Sequence, residues 1–89
     1  MKAIITVVGR DKVGIIATVS TECAKYGANI IDISQTVMKD YFTMIMLADL
    51  SALTSDFSSF AENIRLSGEV AGVDIRVMHE DIFNTMHRI

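Results

Sequence analysis

Proline and tryptophan are absent from these 89 residues, and cysteine occurs once, at Cys23. A single thiol forms no internal disulfide, so the fold must hold without covalent staples, and a reducing, cytoplasmic setting is the expectation. No Cys-x-x-Cys pair exists, which excludes a heavy-metal-binding domain of that type. Positive charge is also scarce: eight Lys and Arg against eleven Asp and Glu leave a net charge of −3. Without the basic footprint that phosphate contacts need, no nucleic-acid partner is expected. No apolar run approaches the ~20 residues that span a bilayer, so no membrane partner is expected either. The start, "MKAIITVVGR", lacks a signal-peptide cleavage pattern and reads as a first strand.

What is present is apolar side chain, 51% of the total, which is ample for one domain of this length. Lys2 to Val8 is a β-branched run ended by Gly9. Ile16, Val19, Cys23 and Tyr26 then recur at spacings of three or four, as on the buried side of a helix that Gly27 stops. "NIIDISQTVM" alternates, with Ile31, Ile33 and Val37 on one face and Asp32, Ser34 and Thr36 on the other. Lys39 and Asp40 turn it into the more apolar "YFTMIMLADL", making a hairpin. Phe57, Phe60, Ala61 and Ile64 supply the stripe of a second helix, with Gly68 and Gly72 helping to end it, and "VDIRVMH" is a fourth strand. The order is β-α-β-β-α-β. Right-handed crossovers fold it into an α+β, ferredoxin-like sandwich, a four-stranded antiparallel sheet of order 4-1-3-2 with both helices on one face. Residues 1–79 form this domain, and residues 80–89 an amphipathic C-terminal tail.

The stretch "VVGRDKVGIIA" places two glycines around four residues between a strand and a helix. The spacing fits a phosphate loop, but Ile15 and Ile16 stand where that motif needs Lys and Ser or Thr, and G-x-G-x-x-G is absent. Two readings survive. In one, Gly9 and Gly14 shape a turn and Asp11 caps the helix. In the other, the N–H groups of Gly14, Ile15 and Ile16 receive a small carboxylate while Asp11 offers the opposite charge to an ammonium.

The segment "GRDKVGIIATVSTECAKYGANIIDISQTV" resembles the ACT domain, a small-molecule-sensing module of amino-acid metabolism, through its strand, Asp-x-x-Gly-Ile loop, helix and Asn-Ile opening of the second strand. The ending "HEDIFNTMHRI" is similar to the tail of small stand-alone bacterial and archaeal ACT proteins related to the glycine cleavage system regulator. The resemblance implies side-by-side dimers that bind an amino acid at their interface. It carries over to Asp11, Val13, Gly14 and Ile15 in the loop and to Asn29 and Ile30 at the start of the second strand. Val13 stands where many members have proline. A homodimer also follows from the strand order, because the second strand is an edge whose unpaired backbone groups a second copy would satisfy.

Other chemistry is thin. Cys23 lies on an apolar stripe, as an inert core thiol does. His79 and His87 are eight apart, a spacing of neither a zinc finger nor HExxH. The serines from Ser51 to Ser59 have no base to activate them, and Arg10 alone does not make an acylphosphatase. Aromatics on the central strands are too few to stack RNA bases. The expectation is a non-enzymatic regulatory module without cofactor or metal, binding an amino acid and modulating a partner protein. The alternative is a structural interaction module with no ligand. On the sheet, Ile5, Val7, Phe42, Met44, Met46, Ile75 and Val77 face the helices. Alternation then sends Ile4, Val8, Ile45, Leu47 and Met78 to the opposite face, where Ile82, Phe83, Met86 and Ile89 of the tail are expected to dock.

Overall fold

The computed structural model describes residues 1–10 and 14–82. Its elements follow the order β1 (Lys2–Arg10), α1 (Ile15–Lys25), β2 (Asn29–Met38), β3 (Tyr41–Asp49), α2 (Phe57–Ala71) and β4 (Asp74–His79). The sheet runs β2-β3-β1-β4 with every pairing antiparallel, which is the expected 4-1-3-2 order read from the opposite edge. Helical residues recur at Glu80 to Ile82, opening the tail. Its remainder, from Phe83, lies outside the described residues, as do Asp11 and Val13.

One side of the sheet makes the core. Ile5, Val7, Met44 and Met46 are fully buried beneath Val19 and Cys23 of α1 and Phe60 and Ile64 of α2. Val19 and Cys23 are buried in α1 and Tyr26 packs on the core, as expected, but Ile15 takes the place of Ile16 at the start of the stripe. Ile15, Val19 and Cys23 are its buried residues, an i, i+4, i+8 stripe, which leaves Ile16 about a hundred degrees away and 38% exposed. Nor does Gly68 end α2. The helix continues to Ala71, and Gly72, at φ 81°, closes it with its N–H directed to the Glu69 and Gly68 carbonyls. Gly68 is buried where the helix crosses β4, and a Cβ there would lie 2.7 Å from Ile75 Cγ1. Close approach, not termination, selects that glycine.

β2 departs from strict alternation. A bulge between Ile30 and Asp32 makes Ile31 the extra residue, so Ile30 opposes Ala48 while Asp32 opposes Leu47. Beyond it Ile33, Gln35 and Val37 oppose the buried Met46, Met44 and Phe42, and therefore share the helix side. Ile33 and Val37 keep the face expected of them. Ile31 leaves theirs for the bulge, where it is 48% exposed. Every residue from Ile31 to Asp40 is exposed, because the strand extends past the cover of the helices.

Candidate functional site

The two glycines of the opening stretch serve different purposes. Gly9 is still in β1, and a Cβ on it would meet Val73 Cγ1 at 2.6 Å, so packing requires it. Gly14 is the N-cap of α1 in the left-handed region, at φ 87°, where a side chain strains the backbone. A Cβ on Gly14 would meet nothing within 4 Å.

Among the described residues no side chain caps the start of α1, and its first turn contains no acidic residue. Its first intrahelical bond runs from the Thr18 N–H to the Gly14 carbonyl at 2.9 Å. The preceding N–H groups of the first turn are thus turned outward with the positive end of the helix dipole. They border a cavity of about 550 Å³. Gly14, Ile15, Ile16 and Ala17 form one wall of it, and Gln35, Val37 and Phe42 of the β2–β3 hairpin form the other. Apolar walls with one amide and a row of N–H donors suit a small molecule that has an aliphatic part and an anionic group. A second groove, along α2 and β4, has charges already matched within the chain: Arg65 with Glu62 at 2.7 Å, and Arg76 with Asp74 at 3.2 Å.

The candidate residues do not all meet inside one chain. Gly14 and Ile15 line the cavity, whereas Asn29 and Ile30 do not. Arg10, at the end of β1, opposes Tyr41, and Met38 opposes the same Tyr41, so β1 finishes at the Met38 end of the sheet. Asn29 opposes Asp49 at the other end. Six residues of strand separate Asn29 from Gln35, about 20 Å at the usual rise. Gln35, Ile16, Val37 and Phe42 also line the cavity, and the motif did not include them. The available signal was Gln35 itself, an amide standing between Ile33 and Val37 on one face of β2.

Burial pushes the Cys23 thiol up to about 11, with Glu22 nearby adding to the rise, so it stays protonated at neutral pH. His79 packs edge-on against Phe57, and its Nδ1 accepts the Asp81 N–H at 3.1 Å. Among the described residues no three His, Cys, Asp or Glu side chains converge to hold a metal ion. No helix among them is long and apolar enough to cross a membrane.

Comparison with known proteins agrees with this geometry. The family model of the ACT domain matches residues 2–78. A UPF0237 protein of Clostridium acetobutylicum is 53% identical over 89 residues, covering 100% of both chains. The structure of an ACT domain protein from Streptococcus pneumoniae superposes with a TM-score of 0.82 at 46% identity, covering 93% of each chain. A putative glycine cleavage system transcriptional repressor superposes at 0.70 with 26% identity, over 89% of this chain and 47% of that one. A sheet of this order, a left-handed glycine opening α1 and a match along nearly the whole length make this chain a member of the ACT domain family of regulatory small-molecule-binding modules, within its UPF0237 group of small proteins.

Proposed function

We propose that this protein is a non-enzymatic regulator that binds an amino acid at a homodimer interface built on the β2 edge, and that the liganded dimer modulates a partner protein. One observation carries the reading: Gly14 and Ile15 lie at one end of the sheet and Asn29 and Ile30 at the other, although the family motif groups them. An antiparallel pairing of β2 with its own copy resolves the separation. The two strands then run in opposite directions about a two-fold axis, and Asn29 of the partner subunit comes alongside the open start of α1. The exposed apolar side chains of Ile31, Ile33 and Val37 on that edge gain a neighbour in the same step. An α-carboxylate sits on the N–H groups of the first turn, Asp11 offers its charge to the ammonium, and the apolar walls hold the side chain.

Calorimetric titration with each of the twenty amino acids, alongside light-scattering mass, tests this. The expected result is a dimer that binds at least one amino acid with one site per subunit interface cavity. Silence toward all twenty removes the sensing role. A partner captured equally well with and without amino acid would assign the alternative, a ligand-free interaction module.

A further inference from the structure

The sheet has a second edge, β4, which among the described residues pairs with β1 alone. Edges are ordinarily blunted by being short and charged, and β4 is both. Ile75 opposes the buried Val7 and faces the helices, so Asp74 and Arg76 stand on the other face. They are exposed, and Arg76 Nε lies 3.2 Å from Asp74 Oδ2. Charges of one sign would repel a second copy of this edge. These two are of opposite sign, two residues apart on one face, and they do not.

We propose that β4 pairs antiparallel with β4 of a second copy about a two-fold axis at Ile75, in an interface separate from the β2 edge. Opposed residues of an antiparallel pair share a face, so only registers centred on a residue keep both helix layers on one side. Like charges directly opposite one another destabilise a pair and opposite charges stabilise it. Centring on Asp74 or on Arg76 sets that residue against its own copy. Centring on Val77 gives neither charge a partner, and centring on Met78 draws in Glu80, which is already helical. Centring on Ile75 sets Asp74 against Arg76 twice, once on each side of the axis. One register satisfies the charges.

The helix side agrees with that register. It opposes Val73 to Val77 of the second copy, apolar against apolar. The groove between α2 and β4 is bordered by Phe57, Ala61, Ile75 and Val77, and it meets its own copy across the axis. Phe57 and Val77 are only partly buried within one chain, and both gain cover there. Self-complementarity of this kind is what a two-fold contact between identical chains requires. β4 has six residues against ten in β2, so the contact is the weaker of the two, and its population rises with protein concentration.

A disulfide reads the register. Opposed Cα atoms in such a pair are about 5 Å apart, within disulfide reach, whereas residue 74 and its own copy are about 8 Å apart. Full-length Asp74→Cys and full-length Arg76→Cys, with the buried Cys23 left in place, are oxidised separately and as a mixture. The mixture should link several-fold faster than either variant alone. Equal rates, or no link, overturn the proposal. Charge reversal reads the energetics. In sedimentation at rising concentration, the native chain and Asp74→Arg with Arg76→Asp should form heavier particles than Asp74→Arg alone, which opposes arginine to arginine. One mass for all three overturns the proposal as well. The particle left in Asp74→Arg reports on the β2 edge separately: two chains if that edge pairs, one if it does not.

Discussion

The two βαβ halves share one topology, yet their helices begin in opposite ways. α2 starts at Asp56, whose carboxylate accepts the Ser59 N–H at 2.9 Å, and its surface is tied by Arg65 to Glu62 and Glu69. α1 starts at a left-handed glycine, with no side-chain cap among the described residues and two β-branched isoleucines in its first turn. Equal secondary structure therefore hides unequal satisfaction of backbone donors. The closed start serves stability alone. The start of α1 has no such side-chain bond among the described residues.

The largest effect should come from breaking the closed half. Phe60→Ala removes a fully buried α2 ring that packs edge-on against Tyr26, and should cost about 3–5 kcal/mol in urea unfolding. Loss well below that range would mean that α2 does not anchor the core. Next is the open start. Gly14→Val forces a β-branched residue into positive φ, a strain of about 1–3 kcal/mol, and fills the mouth of the cavity. Amino-acid binding should vanish while the dimer mass persists. Wild-type affinity in this variant would take the site away from α1.

Asp56→Ala should lower the melting temperature by a few degrees and leave ligand binding unchanged. Its hydrogen bonds from Ser59 hold the Asp56 carboxyl below the ordinary carboxylate range. The sign follows: the cap's contribution is complete above the unfolded carboxylate pKa, near 4, and is lost as pH falls through the lower folded value. Melting curves of Asp56→Ala and wild type should therefore converge in acid. A gap between them that widens there would contradict this. The smallest effect is at Cys23. With its thiol pushed up to about 11 and buried, alkylation at pH 8 should proceed in urea but not in the native protein.

The strands, their order and the core were legible because alternation and glycine punctuation are local signals that tertiary packing reinforced. Three details were not. The bulge at Ile31 adds one residue without any change in composition, so alternation across it reads as continuous. Gly68 reads as a helix end because glycine is costly in a helix interior, but the closeness of Ile75 outweighs that cost. Ile15 and Ile16 are chemically alike, and only the phase set by Val19 and Cys23 tells which is buried. At the site, Gly14 and Ile15 were legible from the motif. The separation of Asn29 and Ile30 from them was not, since a motif is written in chain order and distance along a strand appears only once the strands are paired.

Ala3 opposes His79 across the β1–β4 ladder, and the Leu50 N–H is bonded to the Met1 carbonyl at 2.8 Å. The first and last strands of the fold thus begin and finish as neighbours at one end of the sheet. A unit whose entry and exit sit side by side behaves as a cassette. It can be spliced into a host loop, or strung in tandem through short joints, with its ladder of strands unbroken.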